Sequence, residues 1–148
     1  MRYLGIDYGT KKIGLALSDD GGKIAFAHSI LANTGEHQAM QSIRTLIQKE
    51  KVERIIIGMP SWSGKEESVV VTGIRELASK LTQKCALPVE YENELLTTRI
   101  AESQISGAKD ADAAAAAVIL QSYLDRANAR NLFLWISYYT QYPPLCYI

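Results

Sequence analysis

The sequence has no excess of charge of either sign: 16 lysines and arginines stand against 16 aspartates and glutamates in 148 residues. That balance excludes a histone-like polyanion binder, whose affinity comes from a large positive surplus, but it leaves room for a local basic surface. Cysteine is nearly absent. Cys85 and Cys146 are too few for a disulfide framework and suit a reducing compartment, so a cytoplasmic protein is expected. No uninterrupted apolar run approaches the ~18 residues of a spanning helix. Asp7 interrupts the stretch that a secretion signal would need, so neither a leader nor a membrane partner is expected. The two histidines, His28 and His37, have no partner at metal-ligand spacing and read as structural or surface residues. Aromatics are sparse at 8%, yet half of them fall in Asn131 to Ile148, a tail without a single charge.

What remains is an ordinary globular composition, 47% hydrophobic and 22% charged, long enough for one domain with a sizeable core. Arg2 to Tyr8 and Ile13 to Ser18 read as two strands of a hairpin turning near Gly9-Thr10-Lys11-Lys12. Asp19-Asp20-Gly21-Gly22 is a second turn, and Lys23 to Leu31 completes an antiparallel meander. Glu36 to Lys51 carries Ala39, Met40, Ile43, Leu46 and Ile47 at helical period. Arg54 to Gly58 is a β-branched run of the kind covered on both faces in a parallel sheet. Glu66 to Lys84 reads as a helix with Val69, Val70, Gly73, Leu77 and Leu81 as its buried stripe. Pro88 to Tyr91 is a short strand, Thr98 to Ile105 a short helix and Asp110 to Arg126 an alanine-rich helix. The sum is an α/β fold, a mixed sheet flanked by helices.

Three places carry acids that chemistry could use. Asp7 ends the opening strand, where a buried carboxylate needs a hydrogen bond, a partner or a metal; it reads equally as a turn aspartate. The glycine turn that follows resembles a phosphate-gripping loop. Glu90, Glu92 and Glu94 alternate on one side of a strand, which by itself reads as a solvated face. Glu94 is singled out because it stands where that strand turns into a helix, and strand ends are where open α/β sheets bind ligands. Asp110 and Asp112 open the alanine-rich helix; one suffices as a cap, and the five alanines that follow Asp112 permit close approach to the sheet. Three such carboxylates, without cysteine or paired histidine, suit Mg²⁺ or Mn²⁺ rather than zinc. Two such ions clamp the attacking and leaving oxygens of a phosphodiester without a protein nucleophile.

Leu4-Gly5-Ile6-Asp7-Tyr8-Gly9-Thr10-Lys11-Lys12-Ile13-Gly14-Leu15-Ala16, then Ile57-Gly58-Met59-Pro60, Glu94-Leu95-Leu96-Thr97-Thr98, and Asp112 with Ala116 to Leu124 resemble the YqgF/RuvX family, in order, over about Met1 to Asp125. The resemblance implies a ribonuclease H-like fold: a five-stranded mixed sheet, three strands antiparallel and then two parallel, with flanking helices. It implies a metal-dependent nuclease that matures the 5′ end of pre-16S rRNA, with Holliday junction resolution in DNA recombination as the alternative. Asp7, Glu94 and Asp112 would be the catalytic acids and metal ligands, with Gly9, Thr10, Lys11, Lys12, Thr97 and Thr98 beside the substrate. The chain departs from the family's Asp-Glu-Arg at Asn93-Glu94-Leu95, losing one acid and one arginine, and the loop at Ser61-Trp62-Ser63-Gly64 is shorter.

The domain is expected over 1–127, with an aromatic-rich tail of unassigned role over 128–148 that packs on the domain or on a neighbouring subunit. The partner is nucleic acid, as structured RNA or branched DNA. A two-fold junction calls for a homodimer, whereas an rRNA nuclease can act alone. Lys11, Lys12, Arg44, Lys65, Arg99 and Lys109 are candidate phosphate contacts that read equally as surface charges. Two rivals are an actin-like ATPase or sugar kinase, whose two domains need more chain than this, and a nucleic-acid-binding protein of the same fold with weakened catalysis. Assigning three acids to metal leaves 13 against 16 bases, so neutrality is compatible with a nuclease.

Overall fold

The computed structural model describes residues 1–60, 68–93 and 111–141, with side-chain surroundings for all of these except 36 and 134–141. The elements are β1 (Tyr3–Tyr8), β2 (Lys12–Ser18), β3 (Ala25–Ala32), α1 (Glu36–Glu50), β4 (Arg54–Met59), α2 (Val69–Cys85), β5 (Val89–Asn93) and α3 (Ala111–Gln141). They form one sheet in the order β3-β2-β1-β4-β5. β1, β2 and β3 pair antiparallel, and β4 and β5 join them in parallel. The turns close as their residues dictate: Gly9 N–H donates to the Lys12 carbonyl at 2.9 Å, and Gly22, at φ 63°, donates to the Asp19 carbonyl at 3.1 Å.

The Asp19 carboxylate ties the second turn. It accepts from the backbone N–H groups of Ile24 at 2.9 Å and Lys23 at 2.7 Å, which hold it below its ordinary 3.8. A depressed folded pKa contributes stability above the unfolded value, and the contribution is lost as pH falls through the folded one. Acid titration of folding stability should therefore show a fall below about pH 4 that Asp19→Asn flattens.

Two hydrophobic layers sandwich the sheet. Leu4, Ile6, Ile13, Leu15, Ile55 and Ile57 face α1 and α2, while Ala16 and Ile56 face Ala116, Ile119, Leu120 and Leu124 of α3. The consecutive run Ile55-Ile56-Ile57 is fully buried, as expected of a strand covered on both sides. The α1 stripe is buried as its period implies.

The stripe of α2 differs from the expected one: Val71, Ile74, Leu77, Ala78 and Leu81 are buried, whereas Val69 is 79% exposed. Ser68 Oγ caps the helix by accepting from Val71 N–H, and Val70 packs partly buried against the core. The helical period of the buried set turns Val69 to the outer face. The expected helix start at Glu66 and the helix at Thr98 to Ile105 lie outside the described residues. The third helix does not stop at Arg126 but continues to Gln141, because no glycine or proline interrupts it before Pro143. Among the described residues no helix is long and apolar enough to cross a membrane.

Candidate active site

Strand register builds the site. Asp7 lies opposite Gly14, and Gly5 opposite Ala16. Gly5 also pairs with Ile56. Since Ala16 and Ile56 pack under α3, and since side chains two apart share a face, Asp7 and Gly14 face α3 as well. Gly58, paired with Glu92, lies two residues beyond Ile56, paired with Glu90. The α3-side row near the carboxyl ends of β1, β4 and β5 is thus Gly14, Asp7, Gly58 and Glu92.

α3 descends onto this row at its first turn. A Cβ on Gly14 would overlap the carbonyl oxygen and carbon of Asp112 and lie 3.1 Å from the Ala113 nitrogen. A Cβ on Gly5 would lie 2.8 Å from Leu120 Cβ and 2.9 Å from the Ala116 carbonyl oxygen. Glycine on the sheet and alanine on the helix let the two backbones touch. That contact sets half-buried Asp112 on the residue directly opposite half-buried Asp7.

Beside Asp7 the turn projects Thr10, Lys11 and Lys12 into solvent. Asn33 fixes it from β3's end: its side-chain amide donates to the Gly9 carbonyl at 2.9 Å, and its backbone N–H to the Lys11 carbonyl at 2.8 Å.

The acids of β5 are not on a solvated face. Glu90 and Glu92 turn toward α3, and Glu92 is 1% exposed. Glu92 receives both guanidinium nitrogens of Arg126, one at 2.7 Å, and the Ser122 hydroxyl at 3.1 Å. Glu90 pairs with Arg54 and accepts from the Tyr123 hydroxyl at 2.9 Å. Burial, with the Glu90 carboxylate next, pushes the Tyr123 hydroxyl above its ordinary 10.0, so it stays a donor.

Of the residues expected at the site, Asp7, Asp112, Gly9, Thr10, Lys11 and Lys12 are placed, and the first two are brought together. Glu94, Thr97, Thr98 and Asp110 lie outside the described residues, as do Lys65, Arg99 and Lys109. Arg44 is exposed on α1, the layer across the sheet from α3. Gly14, Ser122 and Arg126 were not legible as site residues; a glycine inside an apolar strand is the signal that marks Gly14 as a close-approach point. His28 is exposed on β3 beside Ser29, and His37 is exposed on α1.

A family model described as "RuvX: Holliday junction resolvase" matches residues 1–126. The chain belongs to the RuvX family. Family membership makes it a nuclease, a hydrolase of phosphodiester bonds that binds nucleic acid. Relatives named "Putative pre-16S rRNA nuclease" include one from Maridesulfovibrio salexigens, 32% identical over 135 residues, spanning 86% of this chain and 100% of that protein. Another, from Porphyromonas gingivalis, is 36% identical over 138 residues and spans 86% of this chain and 98% of its own.

Among solved structures, RuvC of T. thermophilus in complex with a Holliday junction substrate superposes with TM-score 0.61 at 13% identity, over 84% of this RuvX chain and 94% of that one. The fowlpox virus Holliday junction resolvase gives 0.50 at 13% identity, over 85% and 99%. These likenesses show the fold: the ribonuclease H-like sheet expected from the sequence is the one observed.

Proposed function

We propose that this RuvX chain is a two-metal-ion nuclease that processes the 5′ end of pre-16S rRNA, with Asp7, Glu94 and Asp112 as catalytic acids and metal ligands. The observation that carries the reading is the contact of the first turn of α3 with Gly14, which brings Asp112 to the strand position opposite Asp7. The donor set fits a hard cation, since the acids offer only oxygen and the two histidines lie on β3 and α1. The described residues supply two carboxylates; among them no group of three His, Cys, Asp or Glu could hold a metal, and Glu94 is the third in this reading. Asp7, Glu94 and Asp112 would hold Mg²⁺ or Mn²⁺, which would supply activation of water and stabilisation of the leaving oxygen.

The protein's own part is to fix the acids and hold the phosphate. Thr10, Lys11 and Lys12 rise beside Asp7, and the lysine charges neutralise phosphates flanking the cut; Thr97 and Thr98 complete the substrate-binding set in this reading. Lys11→Ala with Lys12→Ala should raise KM several-fold while leaving kcat near wild type. The slope of log affinity against log salt should fall by about 0.7 per lysine on single-stranded RNA. The nuclease unit spans 1–127, the segment 128–148 has no assigned role, and the protein works in the cytoplasm where its substrate is made.

The family description favours a second reading, resolution of Holliday junctions by a homodimer. Incubating the protein with 5′-extended pre-16S rRNA and with a four-way DNA junction, alongside a measured solution mass, separates the two. Shortening of the RNA by a monomer is expected. Symmetrical cutting of the junction alone, by a dimer, overturns the rRNA assignment, and cleavage of neither supports the weakened-catalysis rival.

A further inference from the structure

Glu92 is a fully buried acid that the proposed chemistry does not use. A carboxylate in the interior costs several kcal/mol of desolvation unless it is matched. Arg126 matches it with two parallel N–H donors, and Ser122 adds a third on Oε1. An apolar pair of the same volume would hold β5 to α3 at least as firmly. What the bidentate pair adds is direction, because both oxygens and both nitrogens must align.

The placement of this pair matters. Glu92 stands in the same row as Asp7, and its strand leads to Glu94 two residues later. Arg126 and Ser122 belong to the helix whose first turn carries Asp112, one rigid body with about 1.5 Å of rise per residue. The guanidinium is half exposed and stacks 6.0 Å from the Tyr123 ring centroid, so it is held from its own helix too.

The geometry points to Glu92, Arg126 and Ser122 as positioning residues that register the end of β5 against α3, and thereby fix the helix whose first turn carries Asp112 relative to the strand ends of the sheet. This rests on the nuclease reading above. Changes one layer away from metal-binding acids lower metal affinity or activity by about 10- to 100-fold. Glu92→Gln, which keeps the side chain's shape, and Arg126→Lys, which keeps its charge but not its fork, should each lower kcat by that factor with KM for RNA unchanged.

The test pairs cleavage kinetics with a readout independent of turnover: the Mg²⁺ concentration that raises the melting temperature of each protein. Both variants should need more Mg²⁺, and the double variant should be no worse than the more impaired single one. Variants that melt lower without Mg²⁺ but keep wild-type kcat and Mg²⁺ midpoint make the pair a structural brace only and overturn the proposal. If wild-type protein neither cleaves nor responds to Mg²⁺, the nuclease reading has failed and the proposal falls with it. Wild-type cleavage with unaffected variants overturns the positioning role alone.

Discussion

Asp7→Asn should reduce cleavage by about a thousandfold or more, the effect of removing several kcal/mol of charge stabilisation at the transition state. The fold should survive the change. Asparagine keeps the shape of aspartate, and the position is only half-buried at the end of β1. Circular dichroism and a melting curve close to wild type would show that the loss belongs to chemistry. KM should move little, because in the proposed site Lys11 and Lys12, not the acid, hold the phosphates. Cleavage by Asp7→Asn at the wild-type rate would remove the acid from the mechanism.

Gly14→Ala is expected to have the second-largest effect, through packing alone. One added methyl overlaps the Asp112 carbonyl, which is backbone and cannot rotate away, so α3 must lift off β2 or tilt. Overpacking of this kind costs about 1–3 kcal/mol. The displaced element is the one that carries Asp112 in its first turn, and a misplacement of about 1 Å at a reacting group costs about a hundredfold in rate. Stability and kcat should therefore fall together, measured by denaturant unfolding and single-turnover cleavage. Gly35→Ala is the control, since nothing lies within 4 Å of a Cβ there and only its place as the α1 N-cap is affected. Wild-type stability and kcat in Gly14→Ala would mean that helix and strand do not meet as described.

Much of this architecture was legible because local and global preferences agree. Ile55-Ile56-Ile57 could only be a strand covered on both faces, and it is. The α1 stripe followed from period alone, and the glycines at the two hairpin turns set the meander. The errors have physical causes. The α2 stripe was read from Val69 because apolar residues begin there, but the period of the buried set Val71, Ile74, Leu77, Ala78 and Leu81 turns Val69 outward. Alternation put Glu90 and Glu92 on one side of β5 but could not say which side α3 covers. That depends on the register of β5 with β4, which ties Glu90 to Ile56 and so to the α3 layer. The likeness of the first block drew attention to Asp7, while the partner that brings Asp112 to it is Gly14, a residue recognised by the absence of a side chain.

The most direct test of the acid pair is the Mg²⁺ dependence of 5′-extended pre-16S rRNA cleavage by wild-type protein and by Asp112→Asn. The wild type should be inactive in chelator, rise to saturation with added Mg²⁺ and shorten the RNA at its 5′ end. The variant should fold and bind RNA but give no product at any Mg²⁺ concentration. Product formed by Asp112→Asn with the wild-type Mg²⁺ dependence would contradict the account, because the contact between α3 and Gly14 would then bring no catalytic group to Asp7.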